Sequence, residues 1–259
     1  MRENRVKHAL QRGETVFGTM VQEMRTPSIA QLLAIAGFDF FFIDMEHGPF
    51  DMETVADMIR VARLEDIAPF VRVPDLEYYL LSRPLDAGAQ GLMVPRVDTP
   101  DQVRQVVRFM KYPPLGERGC AVTRGHADLR SEPVKEFIES ANRETLVVVQ
   151  IESKQAIDHI EEMVSVPGVD VALIGPNDLS ISLGIPGELT HPLELEYIEK
   201  MVVACNKHGV AAGLHTGSVE QLKGWMDKGM RFIMWSGDIG MILESSRSAL
   251  KSLKSALEG

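Results

Sequence analysis

Eight short apolar runs recur along the chain: VFGTMV from Val16, FDFFFID from Phe38, APFVRV from Ala68, GLMVPRV from Gly91, TLVVVQIE from Thr145, VDVALIG from Val169, VAAGLHT from Val210 and RFIMWSG from Arg231. Several are apolar at every position instead of alternating, the pattern of strands covered on both faces. Between them lie stretches with helical spacing, among them PSIAQLLAIAG, METVADMIRVARLE, DQVRQVVRFMK and SVEQLKGWMDKG. Many close on a glycine just before the next strand (Gly37, Gly88, Gly168, Gly209, Gly229), where a left-handed turn ends a helix at least cost. Eight strand–helix alternations without a break in composition predict one α/β domain over residues 1–259, a closed (β/α)8 TIM barrel. The competing arrangement, an open doubly wound sheet, calls for a Gly-rich phosphate loop, and neither G-x-G-x-x-G nor G-x-x-x-x-G-K-[ST] occurs. The longest irregular stretch, 112–132, is expected on the face where barrel chemistry sits.

Composition narrows the function classes. A chain of 259 residues with 45% hydrophobic residues has ample material for one barrel core. The formal charge of −10 disfavours nucleic acid and anionic membrane as partners. Cys120 and Cys205 are too few and too far apart for a zinc motif or a disulfide framework. The N-terminal segment MRENRVKHALQRGE has no apolar h-region, and no apolar run approaches the ~20 residues of a membrane span. The expected location is cytoplasmic.

In such a barrel the chemistry gathers at the C-terminal ends of the strands. The polar residues there are Asp44, Glu46 and His47 after the second strand, Arg72 on the third and Arg96 on the fourth. Gln150 and Glu152 lie on the fifth, Gly175-Pro176-Asn177-Asp178 after the sixth, His215 on the seventh and Ser236 on the eighth. Glu152 and Asp178, on adjacent strand ends, suit a hard divalent cation that leaves its other positions to water and substrate. Helix capping by Asp178, or pairing of both acids with arginines, is the other reading. Arg72, made rigid by Pro74, suits a carboxylate or an enolate, or an ion pair with Asp44 or Glu46. His47 has acids beside it that can orient an imidazole for acid–base work. His126, His191 and His208 read as surface or loop residues, and methionines such as Met45, Met93, Met226 and Met234 as core filling.

The segments GFDFFFIDMEHGP, PFVRVP, LDAGAQGLMVPRV, YPPLGERG, VVVQIES and GVDVALIGPNDLS, in this order over nearly the whole chain, resemble the HpcH/HpaI aldolase/citrate lyase family of metal-dependent pyruvate aldolases. The resemblance implies Mg2+, Mn2+ or Co2+ held by Glu152 and Asp178. It places Gln150 beside a bound 2-oxo acid and the backbone N–H of Asn177 or Asp178 on its carboxylate. Arg72 matches the arginine that stabilises the pyruvate enolate, and His47 the acid–base histidine. Asp44 and Asp86 match acids that support that histidine or reach a neighbouring subunit's site. A homo-oligomer is implied, a hexamer built as a trimer of dimers with exchange of C-terminal helices.

The implied reaction is cleavage or formation of a 4-hydroxy-2-oxo acid to pyruvate and an aldehyde, a class II aldolase reaction through an enolate. No Schiff-base lysine stands in the strand runs. Two departures from the degradative members, the loop TRGHADLRSEP and the strand end LHTG, mark Arg124, His126 and His215 as candidate determinants of a different substrate. The alternatives are an oxaloacetate decarboxylase, an acyl-CoA lyase or another enolate-forming lyase or synthase on the same scaffold, and a non-catalytic 2-oxo-acid-binding protein. A CoA lyase wants a basic mouth for nucleotide phosphates, which the charge balance does not offer.

Overall fold

The computed structural model describes residues 1–257. All eight predicted strands form, within two residues of their expected starts: β1 Val16–Val21, β2 Phe40–Asp44, β3 Ala68–Arg72, β4 Gly91–Val94, β5 Leu146–Ile151, β6 Val171–Ile174, β7 Ala211–Thr216 and β8 Phe232–Gly237. Each pairs in parallel with its sequence neighbours, and β8 closes on β1. The chain is thus a closed (β/α)8 barrel, and the open-sheet alternative falls away. The five glycines that end helices all have positive φ, from 69° at Gly209 to 112° at Gly88, as expected of left-handed C-terminal turns.

The unbroken hydrophobicity of the strands has two destinations. Outward-facing residues such as Phe41, Ile43, Val71, Val147 and Val149 join the helices in the larger core, while Met20, Phe40, Phe42, Phe70, Val148 and Phe232 fill the lumen. Phe40 and Phe232 stack there with centroids 4.3 Å apart, and Phe42 and Phe70 pack against them. Space for this aromatic plug comes from Gly18, where a Cβ would stand 2.1 Å from the Phe40 ring. Below the plug, the helix Arg5–Gln11 closes the N-terminal end of the barrel. Asn4 donates to the carbonyls of Gln90 and Glu144, and Lys7 to that of Thr145, all just before strands begin. Among the described residues no helix is long and apolar enough to cross a membrane.

Two expectations need correction. Residues 112–132 do not lie on the catalytic face: they follow the helix Pro100–Met110 and precede β5, so the chain enters them at the opposite end of the barrel. They fold against the ends of neighbouring helices, with Arg63 bound to Asp128 and Asn142 to the backbone of Tyr112. His126, read as a surface residue, is buried to 1% exposure between Phe137, Arg118 and Asp86. Burial, reinforced by the Arg118 charge, holds its pKa down at about 4. His191 and His208 behave as expected, one accepting a helix-start N–H and the other in a last helical turn.

The last helix, Asp238–Ser255, leaves the barrel. Every described residue from Ile242 onward is exposed, Leu243, Leu250 and Leu253 included. On the outer wall of β8 and β1 lies a nearly wholly apolar groove of about 380 Å³, lined by Phe17, Phe38, Leu222, Met226, Ile233 and Trp235 among others.

Candidate active site

Strand ends converge on a cavity of about 420 Å³ at the C-terminal mouth, lined by Met20, Gln22, His47, Arg72, Met93, Gln150, Leu173, the segment 174–178 and His215. It sits above the lumen plug.

On one side β2 and β3 present a charge cluster. Asp44 is fully buried and accepts from Arg72 Nε at 2.8 Å and Nη2 at 2.5 Å. It also accepts the backbone N–H groups of Glu46 and His47 at 3.1 and 3.3 Å, and the Gln22 amide at 3.4 Å. Burial works to raise its pKa, but these bonds and the Arg72 charge outweigh it, and the carboxyl stays below its ordinary value. Arg72 reaches Glu46 through Nη1 at 3.2 Å. Arg72 is thus ion-paired with Asp44 and Glu46 and also lines the cavity. His47 stands at the rim with its side chain 65% exposed and Nε2 3.9 Å from Glu46 Oε2. Asp44 touches the backbone of His47, and Glu46 is the acid nearest its ring.

The other side is built by β5 and the turn after β6. Glu152 is 7% exposed and has both oxygens engaged. Oε1 accepts the Arg96 backbone N–H at 2.7 Å, and Oε2 accepts the Gln150 amide at 2.6 Å. Burial first, then the nearby charges of Asp178 and Glu46, push its pKa up to about 7 against the Arg96 bond and the Arg72 charge. Gly175 is required here, since a Cβ would come within 2.7 Å of Glu152 Oε2. The turn continues into the helix Pro176–Ser182, whose N-cap is Gly175. Asp178 therefore does not cap it; it is exposed and makes no side-chain hydrogen bond or ion pair among the described residues. The first intrahelical bond runs from Leu179 N–H to the Gly175 carbonyl, so the N–H groups of Asn177 and Asp178 have no partner within the helix.

These observations fit a cation-binding role. A buried carboxylate whose charge is disfavoured by burial and by two neighbouring acids gains most from a nearby cation. Among the described residues no three His, Cys, Asp or Glu side chains converge as a ready-made cage. The chain thus offers a two-carboxylate, oxygen-only donor set, the kind that suits Mg2+ or Mn2+ with water and substrate completing the shell.

Asp86 lies elsewhere. It ends the helix Tyr78–Ala87 and binds Arg118 at 2.6 Å in the 112–132 region. Arg124 and His126 lie in that region too, away from this chain's own cavity. The sequence reading overlooked Gln22, one residue past the end of β1, where a polar side chain at a strand end was the available signal. It also missed the backbone at Arg96 and Ser236, whose φ values of 53° and 55° are uncommon for residues with a Cβ. Arg96 turns its N–H to Glu152, and Ser236 turns its carbonyl to His215. No sequence signal announces either.

A family model describing HpcH/HpaI aldolase/citrate lyase matches residues 20–245. A hydroxypyruvate/pyruvate aldolase of Roseobacter denitrificans is 35% identical over 245 residues, covering 95% of each chain. The crystal structure of an HpcH/HpaI aldolase from Desulfitobacterium hafniense superposes with a TM-score of 0.92 at 33% identity, covering 96% of each chain. That of citrate synthase SbnG superposes with a TM-score of 0.88 at 28% identity, covering 98% of each.

Proposed function

Given that the chain belongs to the HpcH/HpaI aldolase/citrate lyase family, we propose that this carbon–carbon lyase cleaves or forms a 4-hydroxy-2-oxo acid, with pyruvate and an aldehyde as the two halves. The observation that carries the reading is the placing of Arg72, Gln150 and Asp178 on one cavity with Glu152 held against its wall.

Glu152 and Asp178 would hold a divalent ion, Mg2+, Mn2+ or Co2+. When bound, it supplies Lewis acidity that polarises the 2-oxo group. The protein contributes the rest. The free N–H groups of Asn177 and Asp178 suit the substrate carboxylate. Arg72, locked by Asp44 and Glu46, keeps N–H groups beyond those bonds and aims positive charge at the cavity where enolate charge develops. His47, at the rim beside Glu46, is positioned to move a proton between a water and the 4-hydroxyl as the C3–C4 bond breaks. No lysine lines the cavity, which speaks against a Schiff-base route.

The groove beside β8 and β1 and the outward-pointing last helix support a homo-oligomer. The apolar groove and the exposed leucines of Asp238–Ser255 are complementary, so each chain's helix would lie in the groove of another copy, and a hexamer is the expected assembly. Asp86 would then matter to a neighbour's site and not to its own.

The test is exchange of the pyruvate methyl protons in D2O, followed by NMR with Mg2+ or Mn2+ and with chelator. Metal-dependent exchange that disappears in Glu152→Ala is the expected result. Retained exchange in that variant, or in chelator, would overturn the metal assignment. The likeness to citrate synthase SbnG favours a second reading in which the same enolate meets another electrophile. Exchange without release of any aldehyde from 4-hydroxy-2-oxo acids would select it, and metal and pyruvate binding without exchange would mark a binding protein.

A further inference from the structure

Asp238 opens the last helix and has no part in the chemistry above, yet it is a charged side chain buried to 2% exposure. Its Oδ1 accepts the backbone N–H groups of Gln22 at 3.1 Å and Ile239 at 2.9 Å. Its Oδ2 accepts those of Glu23 at 2.9 Å and Met24 at 2.8 Å. All four are charge-assisted bonds, and three of them come from the loop that follows β1. A break in the β1–β8 ladder aims the carboxylate there. Gly18 pairs with Met234 and Met20 with Gly237, so two steps along β1 face three along β8. Ser236, at φ 55°, lies in this bulge, and a bulge re-aims the side chains around it. Gly237 lets the two segments close up: a Cβ there would stand 3.1 Å from both the Met20 carbonyl oxygen and Gln22 Oε1.

The loop matters because of Gln22. Its side chain lines the catalytic cavity, and its Nε2 lies 3.4 Å from Asp44 Oδ2, the oxygen that also accepts from Arg72 Nη2. A hydrogen bond of that length is weak and does not by itself hold the amide in place. The backbone does, through the carboxylate of Asp238. Asp44 has no exposed surface, and Gln22 touches it from the β1 side. With the loop released, water would reach the Asp44–Arg72 fork, and the higher local dielectric would weaken the ion pair. Among the described residues, Asp238 also makes every side-chain hydrogen bond between the last helix and the rest of the chain. One carboxylate therefore anchors the outward helix and sets the loop at the catalytic mouth.

We propose that Asp238 is a positioning residue for Arg72: it pins the loop 22–24 so that Gln22 stays on Asp44 and the guanidinium keeps its place at the cavity wall. The effect on turnover rests on the enolate reading; the positioning does not.

The full-length protein is compared as wild type, Asp238→Asn, Gln22→Met and the double variant. Asparagine keeps the size of the side chain but one oxygen only, so part of the loop loses its acceptor. With Mg2+, the kcat of pyruvate methyl-proton exchange should fall by about 10- to 100-fold in Asp238→Asn, the scale of a small misplacement at the reacting centre. KM should stay within about twofold, as expected when ground-state binding is untouched, because the N–H groups assigned to the carboxylate lie on the β6 side. Gln22→Met should lose a similar factor, and adding Asp238→Asn to it should cost little more, since both act through one contact. In the protein without metal or substrate, the Arg72 Nε–H, 2.8 Å from Asp44 Oδ1, should exchange with solvent roughly tenfold faster in Asp238→Asn by 15N NMR, as local opening becomes easier. Additive losses in the double variant, or an unchanged Nε–H exchange rate, overturn the proposal. If Asp238→Asn does not fold, Gln22→Met decides: an unchanged kcat and an unchanged Nε–H rate in it overturn the proposal equally. A wild type that exchanges no pyruvate protons with metal present defeats the enolate reading instead, and the Nε–H rates still decide the positioning.

Discussion

Arg72 lays two guanidinium nitrogens on the carboxylate of Asp44, at 2.8 and 2.5 Å, and Asp44 has no exposed surface. This fork fixes both the plane and the depth of the guanidinium, something a lysine ammonium cannot reproduce. Arg72→Lys should keep the fold and lower kcat by about 10²–10³, the typical loss when one preorganised oxyanion donor is removed. Asp44→Ala should do more harm to the fold, because it strips a buried cation of its two-point partner and leaves it only Glu46, at a cost approaching about 3–5 kcal/mol. Steady-state kinetics on the first variant and urea denaturation of the second check the pair.

Gly175→Ala probes the metal side without replacing a proposed ligand. The new Cβ would meet Glu152 Oε2 at 2.7 Å and Gln150 Nε2 at 2.9 Å, pushing the carboxylate off its two hydrogen bonds. Mn2+ affinity by calorimetry should fall by roughly 10–100-fold, the scale of losses when the supports of a metal ligand are disturbed. Wild-type affinity in this variant would show that the position of Glu152 is irrelevant to metal.

Glu194 gives the pH dependence. It is fully buried, neither oxygen has a partner among the described residues, and burial pushes its pKa up to about 7. Its folded-state pKa thus exceeds the unfolded value of about 4.3. The folded form binds the proton more tightly, so stability is greatest below that value and is lost as pH rises through about 7. Glu194→Gln removes the titration. The variant should melt several degrees above wild type at pH 8, with the gap closing toward pH 4.5; a pH-independent gap would contradict the assignment.

The last helix is tested by charge. Replacing Leu243 and Leu250 by Asp should convert the assembly to smaller species in light scattering, with barrel circular dichroism retained. Both side chains are exposed on the single chain, so no destabilisation of the barrel itself is expected. An unaltered mass would remove the helix from the interface.

The residues that sequence order placed correctly are those whose position follows from strand ends alone. Asp44, Arg72, Gln150 and Asp178 lie where a parallel barrel gathers its polar termini, at or just past the ends of the apolar runs. The backbone turns at Arg96 and Ser236 were not legible, because neither side chain prefers positive φ and tertiary contacts impose it. The face of 112–132 was misjudged by length alone. A segment that follows a helix and precedes a strand belongs to the opposite end of the barrel from one that follows a strand. His126 looked solvent-exposed because its neighbours in sequence are polar; its burial comes from Phe137, Arg118 and Asp86, which are distant along the chain or set by the loop's return.

The stacked rings of Phe40 and Phe232 make the barrel a blind well. With the lumen filled, ligands enter and leave by the same mouth, over a floor that Met20, Met93 and Leu173 help to line.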